Sequence, residues 1–394
     1  MACIVQKFGG TSVATLERIK HVAELIAEAH ATKQVAVVVS AMAGVTNKFV
    51  EYAQNLGSFE GDADYDSVVS SGELVTAGLL AITLKNMGLK SRSYAGWQIP
   101  IETSDNYGSA VIQSVNPTNL EKNLQEGIIP VICGFQGISS ENRITTLGRG
   151  GSDLTAVAVS DALKAELCEI YSDVDGVYTV DPNLYPQACR IDKIHYNEMK
   201  EMAALGAKVL QEQSVDYAMK KNVRIRVASS FVENKGTIIS SDVTARKFSG
   251  LAITQNLSQF KICHKLESPS SIIDLLEKHF IRCEILKTST GKLSILIDRQ
   301  KIPLIQSLLS GKNSDESHVN SLKREMVRKN FSRISVIGSK LTQHDSEKII
   351  SILNGAKIEV FCCSVRENGI NLVVLTENLL KSIDVLHRNC GLGI

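Results

Sequence analysis

Residues 148–153, GRGGSD, set Arg149, Ser152 and Asp153 among three glycines. The apolar, alanine-rich run LTAVAVSDALKA follows directly, so the glycines read as a tight loop opening onto a helix. A helix start presents backbone N–H groups and the positive end of a dipole, a setting that suits an anion. No lysine follows in GxxxxGK[ST] spacing, which excludes the Walker phosphate loop. A second glycine turn lies near the chain start, where Lys7 precedes Phe8, Gly9, Gly10, Thr11 and Ser12. Gly9 and Gly10 let backbone approach a phosphate closely, and the two hydroxyls can donate to it. The Lys7 ammonium could neutralise charge on a transferring phosphoryl group. Taken alone, this K-x-G-G would be no more than a strand-end lysine in a turn.

Further polar groups recur at similar places. VVSAMAGVTN puts Ser40, Gly44, Thr46 and Asn47 just after an apolar run. SSGELVTAGLL puts Glu73 in a first helical turn, where a carboxylate also serves simply to complement the dipole. YSDVDGVYTVDP carries Ser172, Asp173, Asp175, Tyr178 and Asp181, which could equally be a solvated acidic turn. LGAKVL places Lys208 at an expected helix start, where a cation opposes the dipole unless an anion lies nearby.

The elements that must hold these groups alternate. CIVQKFGG reads as a strand entering a glycine turn, and 16–30 as a helix with Leu16, Ile19, Val22, Ala23 and Ile26 on one face and Thr15 as N-cap. The run 35–41, VAVVVSA, is apolar and rich in β-branched valine, the mark of a strand buried on both faces. Strands are also expected at 128–135, 165–173 and 223–230, with helices at 152–164 and 207–221. Strands alternating with helices predict an α/β sandwich with a mainly parallel sheet, its polar loops at strand C-terminal ends.

After the polar, linker-like stretch 234–250 the pattern changes. Two similar units follow, each in βαββαβ-like order with three clear strands. The fourth strands are expected from GLAIT (250–254) and REMVR (324–328), with strand exchange between the units. Net charge is +1, so no basic field for nucleic acid or an acidic membrane is implied. Nine scattered cysteines without a CxxC pair argue against a disulfide framework or a zinc site and fit a reducing cytoplasm. No signal peptide and no uninterrupted apolar run of membrane-spanning length are expected.

In this order, KFGGTSV, VVSAMAGVTN, SGE, GRGGSDLTA, DVDGVYTVDP and GAKVL resemble aspartate kinases of the amino acid kinase family. The likeness covers residue 3 to about 240, and the remainder is similar in layout to that family's paired ACT domains. It implies a three-layer amino-acid-kinase sandwich over 1–240 and two ferredoxin-like ACT units over 250–322 and 323–394. The implied reaction is ATP-dependent phosphorylation of the L-aspartate β-carboxylate, a first step toward lysine, threonine and methionine. By the same resemblance Arg149 holds the substrate α-carboxylate and Glu73 its ammonium, with Ser40, Thr46 and Ser152 lining the aspartate pocket. Lys7 stabilises the transferring group and Asp153 orients Lys7. ATP falls to Lys7, Gly9, Gly10, Ser12, Ser172, Asp173, Tyr178, Asn183 and Lys208. Mg2+ is expected on ATP oxygens and water, with no dedicated protein ligand. A homodimer through the ACT-like region is implied.

The chain departs from the family pattern at several points. Asn183 stands where a basic residue usually follows DP, and Gln211-Glu212 where His-Pro is common. The first ACT turn keeps Pro269 but lacks its glycine, and the second reads His344-Asp345-Ser346. The effector-side strand carries Lys357, Cys362, Cys363 and Val365. Such losses predict weak inhibition by lysine and threonine, or a dimerisation module that binds no effector. Two other classes compete: a different amino acid kinase, such as an acetylglutamate, glutamate or uridylate kinase, and a binding protein on a silent kinase scaffold. The joint presence of KFGGTS, GRGGSD and the paired C-terminal units argues against the first. Lys7, Glu73, Arg149 and Asp153 argue against the second. Fusion to a homoserine dehydrogenase is not expected, since no second dinucleotide-binding unit follows.

Overall fold

The apolar runs CIVQKF and QVAVVV pair in parallel as β1 (Cys3–Phe8) and β2 (Gln34–Val39), buried over almost their whole length. In this computed structural model all residues are described except 208, 234, 264–268, 279–280, 282, 290–291, 309–322 and 394. Packing divides the chain into two units. The first comprises Met1–Tyr178, Arg190–Ala204 and Lys208–Ala245; the second comprises Thr179–Cys189, Leu205–Ala207 and Arg246–Ile394.

The main sheet of the first unit adds β3 (Ser91–Tyr94), β6 (Ile129–Cys133), β9 (Leu167–Ser172), β12 (Lys193–His195), β13 (Ile225–Ser229) and β14 (Thr237–Ser240). Its order is β12-β14-β13-β9-β1-β2-β6-β3, and only the β13–β14 pair is antiparallel. β14 lies inside the stretch expected as a linker: Thr237, Ile239 and Ser240 are buried once the strand is paired, which the polar surroundings hide. A second, four-stranded sheet, β5-β4-β7-β8, was not foreseen. It is built from β4 (Ile101–Thr103), β5 (Ile112–Val115), β7 (Gln136–Ile138) and β8 (Ile144–Thr146), strands too short for a periodic signal. A two-residue ladder joins β10 (Val177–Tyr178) to β11 (Arg190–Ile191).

Helices cover both faces of the main sheet. α1 (Leu16–His30) starts where Thr15 accepts from the Arg18 N–H. It buries Ile19, Val22, Ala23 and Ile26, while Leu16 stays exposed. With α4 (Ser71–Asn86) it packs on the face formed by Ile4, Phe8, Val35, Val37, Val39 and Val131. α6 (Gly151–Ala162) takes the other face and α8 (Glu212–Lys221) packs beside it. α2 (Val45–Asn55), α3 (Ala63–Val69), α5 (Thr118–Gln125) and α7 (Tyr196–Ala204) complete the unit. α3 and α4 form a rod over 63–86 that is long and apolar enough to cross a membrane by length and composition alone. Its carboxylates Asp66 and Glu73 are buried in the unit, and with Thr76, Ala77, Leu80 and Leu84 inside as well it behaves as a core helix.

The second unit has one six-stranded sheet, β16-β17-β15-β18-β20-β19. Its strands are β15 (Gly250–Cys263), β16 (Glu284–Ser289), β17 (Lys292–Asp298), β18 (Lys323–Ile337), β19 (Cys362–Arg366) and β20 (Gly369–Leu375). GLAIT and FKIC are thus one continuous strand, as are REMVR and RISVI. β15 and β18 pair antiparallel from Gly250↔Ile337 to Cys263↔Lys323, with irregularities after Thr254 and Ser258. The two halves of β15 therefore serve different hydrophobic clusters. Leu251, Ile334 and Val336 pack with α11 (Gln343–Gly355) and α12 (Leu379–Asn389). Phe260 packs with α9 (Pro269–Lys278) and α10 (Ile302–Leu308).

Candidate active site

Lys7 and Phe8 close β1 and point to opposite faces of the sheet. Phe8 stacks on Tyr171 in the core, with ring centroids 4.9 Å apart. Lys7 faces α6, where its Nζ lies 2.6 Å from Asp153 Oδ1, both residues being buried. A buried charge needs a partner, and here each meets the other. The adjoining turn is tight. Gly9 N–H donates to the Tyr171 carbonyl, and a Cβ on Gly10 would stand 2.9 Å from the Ala41 carbonyl oxygen. Ser12 is wholly buried and its hydroxyl accepts from Ser230 Oγ at 2.8 Å. Arg18 Nη2 in turn holds the Ser230 carbonyl and hydroxyl at 2.8 and 3.0 Å.

The β2 turn lies alongside. Ser40 N–H donates to the Phe8 carbonyl, and Ala43 N–H to Gly10. Thr46 stands in the first turn of α2. Glu73, buried in the first turn of α4, accepts the Ala41 N–H through Oε1 at 2.9 Å, while its Oε2 has no partner. Burial pushes the Glu73 carboxyl up to about 7, against the pull of the Ala41 N–H and its own backbone N–H. A cation reaching Oε2 would favour the ionised form.

Arg149 departs from the expectation that the polar loops follow strands of the parallel sheet. Its loop leaves β8 of the small sheet, and Arg149 is exposed. It lines a cleft of about 340 Å³ together with Glu60, Gly108, Ser109, Gly148 and Gln211. Gly150 is the N-cap of α6 with φ +72°, and a Cβ there would collide with Gln211 Cγ at 2.0 Å. No side chain caps α6. Ser152 is buried in its first turn against Gly134, where an added Cβ would come within 2.7 Å of Ser152 Cβ.

At the end of β9, Ser172 Oγ accepts the Val174 N–H at 3.2 Å and Asp173 is exposed. Tyr178 donates to Asp175 at 2.8 Å, and Arg190 lies 3.8 Å from the same carboxylate. Asn183 belongs to the segment that packs with the second unit, and its amide is engaged on Asp181 Oδ1 at 3.1 Å. Lys208 lies outside the described residues. The helix expected from 207 begins at Glu212, with Gln211 as N-cap.

Three residues escaped the sequence reading. Phe135 adopts φ +70°, takes Thr155 Oγ1 on its N–H at 3.1 Å and offers its carbonyl to Leu147 N–H at 3.0 Å, so it braces the Arg149 loop from below. Its one sequence signal is the doublet of glycines around it in CGFQG. Ser230 shows no motif. Asp66 looks like one more acid in a helix that begins DADYD.

Known proteins resemble this chain over most of its length. The amino acid kinase family model matches residues 2–229. An aspartokinase of Rickettsia prowazekii is 46% identical over 274 residues, 68% of this chain and 61% of that protein. An aspartokinase of Geobacillus stearothermophilus is 34% identical over 100% of this chain and 98% of its own length. Among solved structures, E. coli aspartokinase III in complex with aspartate and ADP superposes with a TM-score of 0.78 at 25% identity, covering 98% of this chain and 99% of that one.

Proposed function

The chain belongs to the aspartokinases of the amino acid kinase family, and from that premise we propose that the Lys7–Asp153 centre transfers the γ-phosphoryl group of ATP to the β-carboxylate of L-aspartate. The products are 4-phospho-L-aspartate and ADP. The observation that carries this reading is the buried ion pair of 2.6 Å between the two glycine loops.

A carboxylate is ionised at neutral pH, so it attacks phosphorus without a general base, and no histidine is needed. Catalysis reduces to alignment and charge compensation. Asp153 fixes the Lys7 ammonium, and Lys7 meets the negative charge on the transferring oxygens. Gly9, Gly10 and Ser12 line the phosphates. Arg149 forks onto the substrate α-carboxylate, a planar bidentate contact that lysine cannot reproduce. Glu73 Oε2 takes the α-ammonium, while Ser40, Thr46 and Ser152 line the pocket. Ser172, Asp173 and Tyr178 bind the nucleotide, and Lys208 and Asn183 belong to the same set by family likeness. Among the described residues no three His, Cys, Asp or Glu side chains group as a metal cage. Mg2+ would be carried on ATP oxygens and water, as its stiff octahedral shell prefers. The same reading places the chain in a reducing cytoplasm, where thiols stay free.

Residues 1–240 form the kinase domain on this reading, and 250–322 and 323–394 two ACT units that exchange strands and pair two chains. Light scattering tests the dimer, and a monomer would refute that part alone. Regulation is a separate matter. The E. coli relative has been crystallised with lysine and aspartate in a T-state. Here the residues at the start of α11 satisfy one another: Thr342 and Asp345 form a reciprocal capping box, and Lys247 Nζ lies 2.6 Å from Asp345 Oδ2. An effector carboxylate would have to displace that aspartate, so lysine and threonine inhibit weakly.

ADP release with a panel of amino acids tests the reaction. L-Aspartate alone should support turnover; release driven by glutamate or N-acetylglutamate instead would assign the site to a different kinase.

A further inference from the structure

Asp66 is fully buried in α3, away from the ion pair and the glycine turns, and no step of the reaction uses it. Its Oδ2 accepts the Gly108 N–H at 2.9 Å and the Thr146 N–H at 2.7 Å, and its Oδ1 accepts Thr146 Oγ1 at 2.9 Å. Thr146 ends β8 and leads through Leu147 and Gly148 into Arg149. Gly108, at φ +80°, belongs to the opposite wall of the same cleft. Its carbonyl oxygen would stand 3.3 Å from a Cβ on Gly148, so the two walls touch directly below Arg149. Ala110 N–H adds a bond to the Thr146 carbonyl at 2.9 Å. One carboxylate therefore ties together two of the backbone segments that line the cleft. The rod that holds it continues into Glu73. Gln136 Nε2, on β7 of the same small sheet, donates to the Ser70 carbonyl at the joint of that rod.

We infer that Asp66 is a positioning residue that sets where Arg149 stands relative to Glu73, and so fixes the span between the substrate's carboxylate and ammonium. The inference rests on the reading that Arg149 holds the α-carboxylate. A carboxylate held by two backbone N–H groups and a hydroxyl is strongly directional. An amide in its place loses the charge that strengthens both N–H bonds, and its NH2 forces the Thr146 hydroxyl to accept instead of donate. The loop would then shift, and a displacement of an ångström in a substrate clamp is felt in catalysis.

The test uses the full chain with L-aspartate and with 3-aminopropanoate, either as substrate or as a competitive inhibitor. The latter keeps the ammonium and the reacting carboxylate but lacks the α-carboxylate. Asp66→Asn should lower kcat/KM for aspartate by about tenfold, chiefly through KM, with ATP and 3-aminopropanoate affinities within about twofold of wild type. Thr146→Val, which removes one of the bonds and leaves the carboxylate, should show the same selective loss at about threefold, and serves if the Asn variant does not fold. In an Arg149→Lys background neither change should reduce aspartate selectivity further. Equal losses for both ligands, as from less folded enzyme, would overturn the inference. If Arg149→Lys itself leaves aspartate selectivity intact, the reading of Arg149 fails. If Arg149→Lys abolishes selectivity while the Asp66 and Thr146 variants keep it, only the role of Asp66 fails.

Discussion

α6 and α11 begin in opposite ways. At α6 the N-cap is Gly150 in the left-handed region, no side chain caps the helix, and Asp153 in the first turn is turned to Lys7. At α11 Thr342 Oγ1 and the Asp345 carboxylate exchange hydrogen bonds with each other's backbone N–H, and Lys247 neutralises Asp345. Both ends carry the same partial positive charge. The first leaves it without a side-chain cap; the second spends its own carboxylate on it. A helix N-terminus stays open to an anion only where the sequence withholds a cap, and at α6 the glycine N-cap withholds one.

The largest effect expected from this contrast lies at the open end. Lys7→Ala should cut kcat by roughly 10³-fold with little change in the KM for aspartate, because its ammonium acts on charge that develops in transfer. Turnover within tenfold of wild type would remove Lys7 from the chemistry. Next comes the pH profile. Glu73 must be ionised to receive an ammonium, and burial has raised its carboxyl to about 7. Below that pH the acid is neutral in free enzyme, so kcat/KM for aspartate should rise about tenfold per unit up to pH 7 and then level off. In Glu73→Gln the plateau drops and this limb disappears; a limb that persists would belong to another group.

Smaller effects are expected at the closed end. With ATP saturating, lysine and threonine should reach half-inhibition only above about 1 mM, since an effector must compete with an internal carboxylate. Submillimolar inhibition by either would show that the cap yields. Asp345→Ala should cost about 1 kcal/mol of stability at pH 7, the usual worth of a helix cap, with kcat and KM unchanged. Burial pushes the Asp345 carboxyl up, but Lys247 and the Thr342 donors outweigh it and hold it at about 2. A depressed carboxylate stabilises the fold above its unfolded value of 3.8. Its contribution fades as the pH falls toward about 2, and the wild-type and Asp345→Ala melting curves should converge there. A difference that persists at that pH would mean the residue acts by packing.

Much of this was present in the linear chain. β2, β6, β9 and α1 are long apolar runs whose period already states their burial, and the glycine blocks state where backbone must approach a ligand. Lys7, Asp153, Glu73 and Arg149 stand out because each sits beside such a block. What stayed hidden depends on pairing between distant segments. The small sheet has strands of three and four residues that mean nothing until they meet. β14 reads as a polar linker until β12 and β13 cover it. β15 and β18 look like separate pieces because β15 changes its cluster midway, and the register between the two strands shifts after Thr254 and Ser258. Asp66 resembles its acidic neighbours, and only the folding of Gly108 and Thr146 against it separates a buried carboxylate from solvated ones. Residue type and spacing determine which groups are available and which segments must be buried. Which carboxylate meets which N–H is decided by tertiary contacts, because a hydrogen bond depends on position to within a few tenths of an ångström and sequence carries no such coordinate.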